Sequence, residues 1–170
     1  SMGDIAIVES TDVGGEALDA AIMRYLRTYY GLRIGTRTAE QIKRSIGSSH
    51  ADGEPGVFLV KGQDVVRGAP TAIEMNTEEV AAALEEPLAA ICETVRTAFL
   101  NTPPELAGDL FDRGVVLIGG GARLPGLDQR IRESTGLPVF VADEAENAVA
   151  LGAGQILETS GALAKVSMRG

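Results

Sequence analysis

The sequence is poor in several residue types on which common protein functions depend. Its 170 residues include one cysteine, one histidine and no tryptophan. The lone Cys92 excludes an internal disulfide framework and any metal site built from several cysteines. Its small and apolar neighbours predict that Cys92 is buried. A single cysteine is also compatible with a reducing compartment. The lone His50 stands in a polar stretch without an accompanying nucleophile motif, which favours a solvated loop residue over a catalytic one.

Basic and aromatic residues are also scarce. The 15 Lys+Arg residues face 24 Asp+Glu residues, which gives a net charge of −9, and aromatic residues make up 4% of the chain. A general nucleic-acid binder needs basic surface to neutralise phosphates and aromatic rings on which bases stack. No apolar run approaches the ~18 residues of a membrane span. Nucleic-acid binding and membrane spanning are therefore not expected, whereas a local cationic site for a nucleotide is compatible with this composition.

The first part of the chain predicts two helices. One begins at Glu16 and ends at Gly31, because glycine commonly follows the last helical residue. Its apolar face has helical spacing and consists of Leu18, Ile22, Tyr25, Leu26 and Tyr29. The other begins after Thr38, the N-cap of a capping box completed by Gln41, and ends at Gly47. Its buried stripe is predicted to be Ala39, Ile42 and Ile46.

The middle of the chain predicts a small antiparallel sheet and a long helix. A strand at 57–60 is expected to form a hairpin with 65–67, and a further strand is expected at 72–75. Asn76 and Glu79 are placed to cap the long helix. Its apolar face is Leu84, Leu88, Ile91, Val95 and Phe99, and its acidic residues are expected to be solvated. Pro87 lies inside and is expected to kink or break it.

The last part of the chain predicts an α/β arrangement. After a short helix at 106–111, buried strands are expected at 115–118 and 138–141, with a helix at 125–134 between them. A last helix is expected from Asp143 to about Glu158, followed by a frayed tail. This strand–helix–strand order indicates a parallel sheet. The chain is therefore predicted to form two lobes, with the middle one inserted into the α/β one.

Glycines mark the place where this α/β lobe could meet a ligand. Gly119, Gly120 and Gly121 leave the carboxyl end of a predicted buried strand, where ligands bind in open α/β sheets. Backbone N–H groups without side chains can approach a base or donate to a phosphate. The spacing matches neither a Walker A loop nor the Rossmann fingerprint, and a plain turn is an equally good interpretation.

A second candidate group lies earlier in the chain. Gly14 and Gly15 again stand between an apolar run and a predicted helix. Glu40 and Lys43 lie three residues apart, off the buried stripe and on one helix face. They are interpreted either as an ordinary surface ion pair or as a clamp on a nucleoside. In a clamp, the carboxylate accepts from ribose hydroxyls and the ammonium contacts the base edge.

The ordered set of motifs resembles the C-terminal half of the MreB/Mbl family, the bacterial actin homologues. The resemblance covers about residues 4–158 and is carried by stretches 13–19, 38–47, 103–110, 114–122, 135–139 and 148–154. It implies an actin/Hsp70-like ATPase fold, with a ribonuclease H-like motif, cut down to its second domain. Residues 1–13 plus 86–160 would form subdomain IIA, residues 14–85 the inserted subdomain IIB, and residues 161–170 a tail.

The resemblance also implies which residues bind ATP, with Mg²⁺ in the intact protein. Glu40 and Lys43 would hold ribose and adenine. The triplet 119–121 would line the adenosine and phosphates, and the pair 14–15 would lie near the ribose–phosphate side. Ala122 and Arg123 would lie near the base.

The sequence departs from the family pattern at the segments that bind phosphate and at one hairpin. The first phosphate loop belongs to domain I, which is not represented, and only Gly3 and Asp4 remain where the second phosphate loop would precede Ile5. The hairpin between Ser10 and Val13 is shortened. The chain is therefore expected to be part of an ATPase, to be inactive alone, and to bind ATP weakly or undetectably.

The resemblance implies a cytoskeletal function. The intact protein would polymerise with ATP into filaments at the inner face of the cell membrane, would direct cell-wall elongation and would set rod shape. Its partners would be further copies of itself and the wall-elongation machinery, and it would contact the membrane only through the missing domain. Two alternatives are a fragment of an Hsp70-type chaperone and a non-catalytic scaffold or adaptor with the actin fold.

Overall fold

The computed structural model describes residues 9–11, 15–47, 55–119, 124–141, 156–159 and 162–166. The helices are α1 (Gly15–Tyr30), α2 (Thr36–Ile46), α3 (Thr77–Leu100), α4 (Pro104–Arg113) and α5 (Leu127–Thr135). The strands are β1 (Glu9–Thr11), β2 (Leu32–Arg33), β3 (Val57–Asp64), β4 (Pro70–Asn76), β5 (Val115–Gly119), β6 (Val139–Val141), β7 (Ile156–Thr159) and β8 (Ala162–Val166). Within these ranges, no helix is both long enough and apolar enough to cross a membrane.

The chain divides into two compact units. The sheet unit contains Ser1–Gly15, Leu88–Arg123 and Leu127–Gly170, and the hairpin unit contains Glu16–Pro87 and Leu124–Gly126. Their correspondence to the two subdomains expected from the resemblance stays a prediction.

Helix α1 confirms the predicted helix in the hairpin unit. Leu18, Ile22 and Leu26 are fully buried at helical spacing, and Gly31 ends the helix with a φ of 59°. The predicted apolar face stops short of Tyr29, which is 71% exposed. All three tyrosines of the chain lie on this helix. The ring centroids of Tyr25 and Tyr29 are 4.6 Å apart, and the rings are tilted by 42°.

Helix α2 begins earlier than predicted. Its N-cap is Gly35, without a side-chain cap hydrogen bond, so the prediction of Thr38 as the N-cap is wrong. Thr36 and Arg37 are already helical, which leaves Thr38 inside the first turn. The end at Gly47 is confirmed, where the Gly47 N–H donates to the Lys43 carbonyl at 2.9 Å.

Strands β2, β3 and β4 form an antiparallel sheet in that order. The predicted return strand at 65–67 is wrong, because these residues form a turn and β4 is the partner of β3. The Asp64 carboxylate explains this turn, since its Oδ1 accepts from the N–H groups of Arg67 and Val66 at 2.8 Å each. These two hydrogen bonds, that of Arg67 first, lower the pKa of Asp64 below its usual value.

The predicted capping box of α3 is confirmed. The Asn76 N–H donates to Glu79 Oε2 at 2.9 Å, and the Glu79 N–H donates to Asn76 Oδ1 at 2.9 Å. The Tyr30 hydroxyl donates to the other oxygen of the Glu79 carboxylate. This hydrogen bond is the main reason that the pKa of Tyr30 rises to about 12.

Pro87 does not break α3. The helix continues from Thr77 to Leu100 with the proline inside it, and Leu84 and Leu88 on either side are fully buried. A proline removes one backbone hydrogen bond, and burial of the helix outweighs that loss here. The division between the two units falls directly after Pro87.

The sheet unit is built on a five-stranded sheet with the order β1-β7-β8-β5-β6. Strands β5 and β6 are parallel and are separated in sequence by α5, as predicted. Strand β6 lies at the edge, and Phe140 is 56% exposed there, so the prediction of a second fully buried strand is wrong. An edge strand has a neighbour on one side only.

The end of the chain differs from its prediction. Residues Ile156–Thr159 form β7, so a helix that extends to Glu158 is wrong; residues 143–155 of that helix lie outside the described residues. The expected frayed tail contains β8, which pairs antiparallel with both β5 and β7. Strand pairing on both sides explains why this short segment is ordered in spite of its weak sequence pattern.

Gly114 determines how β5 begins. Its φ of 80° is a conformation that favours glycine, and a Cβ there would collide with the Pro138 carbonyl oxygen. The next residue, Val115, donates its N–H to the same carbonyl at 2.8 Å. The close approach of Gly114 to Pro138 therefore accompanies the first hydrogen bond between β5 and the segment that precedes β6.

The capping box leads to a prediction for Asn76→Ala. The loss of the side-chain acceptor for the Glu79 N–H is expected to lower the free energy of unfolding by about 1 kcal/mol. Urea denaturation followed by circular dichroism measures the change. Asn101→Ala, at an exposed position beyond the other end of α3, is the control and is expected to change stability by less than about 0.5 kcal/mol. Equal losses in the two variants would contradict the capping role.

Two glycines close in sequence predict opposite effects of the same substitution. Gly114→Ala is expected to destabilise the chain by about 1–3 kcal/mol, because of its positive φ and the collision with Pro138. Gly108→Ala, in the interior of α4 with no atom within 4 Å of an added Cβ, is expected to stabilise it by about 0.5–1 kcal/mol. Thermal denaturation of both variants tests this, and a Gly114→Ala variant as stable as the unsubstituted chain, or more stable, would show that Gly114 is not constrained.

Candidate nucleotide-binding site

Helix α2 carries Glu40 and Lys43, the two residues that were predicted to hold ribose and adenine. Ala39 and Ile42 are fully buried and fix the orientation of the helix, as predicted. Glu40 Oε1 lies 2.8 Å from an Arg44 nitrogen, and the Glu40 side chain is 43% exposed. An exposed pair one helical turn apart contributes little to stability, so the Glu40 carboxylate can exchange this partner for ligand hydroxyls at small cost.

Lys43 is placed differently from its prediction. Its ammonium nitrogen lies 2.8 Å from Asp19 Oδ1, and only 14% of the lysine side chain is exposed. The surface pair between Glu40 and Lys43, which was one of the two interpretations, is wrong, because each residue pairs with a third one. The position of Lys43 outside the buried stripe suggested that its side chain projects into solvent, but the side chain is mostly buried.

Asp19 is the residue that the sequence interpretation missed. It lies on α1, and its side chain is 8% exposed. Its Oδ1 accepts no well-directed hydrogen bond from any described residue, so the nearby Lys43 ammonium compensates its charge. A signal was present, since Asp19 precedes the buried Ile22 by three residues and so shares its helix face. A carboxylate on a buried face requires a positive partner.

The glycines of the site are described only in part. Gly15 is the first residue of α1, in the sheet unit, and Gly119 is the last residue of β5, in the same unit. Gly14, Gly120 and Gly121 lie outside the described residues, as do Ala122 and Arg123. Their predicted roles stay predictions.

The described side chains fit one half of a nucleoside site chemically. The Glu40 carboxylate is partly exposed and can accept hydrogen bonds from the two ribose hydroxyls. The Lys43 ammonium carries three N–H donors and suits the acceptor nitrogens of a purine. A bound nucleotide would add phosphate charge, which these two residues are not arranged to neutralise.

Nearly the whole chain matches a known family. Residues 1–165 match the family model described as MreB/Mbl protein. The chain belongs to the MreB/Mbl family. The cell shape-determining protein MreB of Escherichia coli K12 is 42% identical over 158 residues, and the cell shape-determining protein Mbl of Bacillus subtilis 168 is 40% identical over 165 residues.

This MreB/Mbl chain spans about half the length of these relatives. The match covers 93% of the chain and 46% of the E. coli protein, and 97% of the chain and 50% of the B. subtilis protein.

Solved structures of the family show the same fold. MreB5 of Spiroplasma citri bound to ADP is 33% identical, with a TM-score of 0.75 over 79% of this chain and 41% of that one. The same protein bound to AMPPNP gives a TM-score of 0.77 at 29% identity, over 85% of this chain and 49% of that one. The fold is therefore the actin-like α/β fold that the resemblance implied.

The buried pair predicts a strong effect on stability. Lys43→Met leaves the Asp19 carboxylate buried without its ammonium and is expected to cost about 2–3 kcal/mol, slightly less than a fully buried pair because some lysine surface is exposed. In the double variant Asp19→Asn/Lys43→Met, most of this loss is expected to return, since no charge is left unpaired. Urea denaturation of the unsubstituted chain, Asp19→Asn, Lys43→Met and the double variant gives the coupling free energy between the two residues.

Arg44→Met is the matched control for this cycle. It removes a cation from the next position of α2, but its side chain is 72% exposed. A change of less than about 0.5 kcal/mol is expected, since exposed pairs contribute little. A loss as large as that of Lys43→Met would mean that burial of the pair is not what matters.

Proposed function

We propose that this chain supplies the adenosine-binding half of an ATP site in a bacterial actin-like cytoskeletal protein of the MreB/Mbl family. The observation that carries the proposal is the likeness, at 33% identity and a TM-score of 0.75, to an MreB structure bound to ADP. In this proposal Glu40 binds ribose hydroxyls, Lys43 contacts the adenine edge, and the glycines 119–121 line the adenosine and phosphates. Gly14 and Gly15, together with Ala122 and Arg123, complete the surroundings of the nucleotide.

The whole protein is proposed to assemble into filaments with ATP. In the family mechanism, contacts to the nucleotide bias the angle between two domains, and that angle favours or disfavours contacts between subunits. Such filaments would lie at the inner face of the cell membrane and guide cell-wall elongation, with the wall-synthesis machinery as partner. The cell shape-determining names of the E. coli and B. subtilis relatives support this proposal.

The proposal narrows the expectation of weak or undetectable nucleotide binding to binding that is weak but specific. ADP is expected to shift backbone amide signals of α2 in ¹⁵N-correlated NMR spectra, with a dissociation constant in the millimolar range. Adenosine alone is expected to shift the same signals and pyrophosphate is not, because the described residues suit the nucleoside rather than phosphate. A spectrum of α2 unchanged by ADP, or shifted equally by pyrophosphate, would overturn the proposal.

Substitutions sharpen the same titration. Glu40→Gln and Lys43→Met are each expected to raise the dissociation constant for ADP about two- to tenfold, the range for one lost hydrogen bond. Glu86→Gln and Lys61→Met make the same chemical changes at exposed positions and are expected to leave it unchanged. Equal effects in the two sets of variants would remove Glu40 and Lys43 from the site.

Filament assembly is tested on the protein with both halves present. Sedimentation after addition of ATP is expected to pellet it, whereas the protein without nucleotide stays in the supernatant. Glu40→Gln is expected to raise the ATP concentration needed for pelleting. Assembly that ignores nucleotide would contradict the proposed switch and would favour the scaffold alternative.

A further inference from the structure

We propose that Asp19 is a positioning residue for nucleotide binding: it holds the Lys43 ammonium where the adenine edge arrives. The inference rests on the proposed function, and it adds a residue to which the family resemblance assigned no role.

An ion pair joins helices α1 and α2 of the hairpin unit. Asp19 lies on α1 and Lys43 on α2, and 2.8 Å separates the carboxylate oxygen from the ammonium nitrogen. The side chains are 8% and 14% exposed. A lysine has four rotatable side-chain bonds, and fixing them costs up to about 2 kcal/mol of conformational entropy. Here the protein itself has already fixed them.

A fixed ammonium is a better ligand contact than a mobile one. Binding that must order a long side chain loses affinity, and a preorganised side chain avoids that loss. Arg44 on the same helix shows the contrast, because its pair with Glu40 is largely exposed and its side chain is 72% accessible. An ammonium carries three N–H donors, so an ion pair with Asp19 is compatible with donation to a ligand.

Asp19 could instead serve stability alone, and the binding cycle separates the two roles. ADP titrations followed on the α2 amides compare the chain as it exists with Asp19→Asn, Lys43→Met and the double variant. Asp19→Asn is expected to raise the dissociation constant about two- to tenfold, and to have no further effect once Lys43 is methionine. Glu86→Gln removes one exposed carboxylate charge and is the matched control.

The outcomes are distinct. Unchanged ADP affinity in Asp19→Asn, together with lower stability, would reduce Asp19 to a structural partner. The same loss of affinity with and without Lys43 would show that Asp19 acts by another route. If ADP leaves the spectrum of the unsubstituted chain unchanged, the proposed function and this inference fall together. If Asp19→Asn weakens ADP binding when Lys43 is present and has no further effect in Lys43→Met, the result supports both the proposed function and this inference.

Two further measurements complement this cycle: the first does not need Asp19→Asn to fold, and the second needs no ligand. Asp19→Glu keeps the charge but displaces the carboxylate by one methylene, and is expected to weaken ADP binding while the chain stays folded. The chain has three lysines, so their ε-methylene NMR signals are easily assigned. The Lys43 signal is expected to show restricted motion relative to exposed Lys61, and to lose that restriction in both Asp19 variants. Equal mobility of the two lysines before substitution would overturn the proposal.

Discussion

The charge of one carboxylate on the buried face of α1 requires a positive partner, and α2 supplies it. Asp19 stands beside the apolar side chains that pack this helix, where an ionised group without a partner would be strongly unfavourable. The Lys43 ammonium lies within 2.8 Å and compensates it. This contact joins α2 to α1 on the helix that also carries Glu40. The buried residues Ala39 and Ile42 determine which side of α2 faces inward. The ion pair brings the Lys43 side chain to Asp19.

The elements that sequence predicted well are those whose signals are local. The capping box of Asn76 and Glu79 involves residues three apart, and the structure contains both of its hydrogen bonds. Gly31 and Gly47 each directly follow the last residue of a helix, a position at which glycine is common. The buried stripes of α1 and α3 repeat with the period of a helix, so that Leu18, Ile22 and Leu26 could be placed before any tertiary contact was known.

Several of the errors have a different origin, because they depend on strand pairing or on side-chain contacts that the sequence pattern does not show. The partner of β3 could not be chosen between 65–67 and 72–75 without the Asp64 side chain, which turns the chain at Val66 and Arg67. Strand β8 is weakly patterned and forms because β5 and β7 lie on its two sides. The edge position of β6 leaves Phe140 exposed, although its sequence has the apolar character of a buried strand. The nucleoside-binding role of Glu40 and Lys43 stays a prediction. Asp19, the partner of Lys43, lies on another helix, so this pair follows from packing, whereas Arg44 lies only one helical turn from Glu40.

The placement of the tyrosines has a consequence for optical spectroscopy. The chain has no tryptophan, and Tyr25, Tyr29 and Tyr30 all lie at the end of one helix. Its intrinsic ultraviolet fluorescence therefore originates from the hairpin unit. An emission change on heating or on titration reports the surroundings of α1, and loss of structure confined to the five-stranded sheet would leave that emission almost silent. The molecule thus carries a built-in reporter for one of its two units.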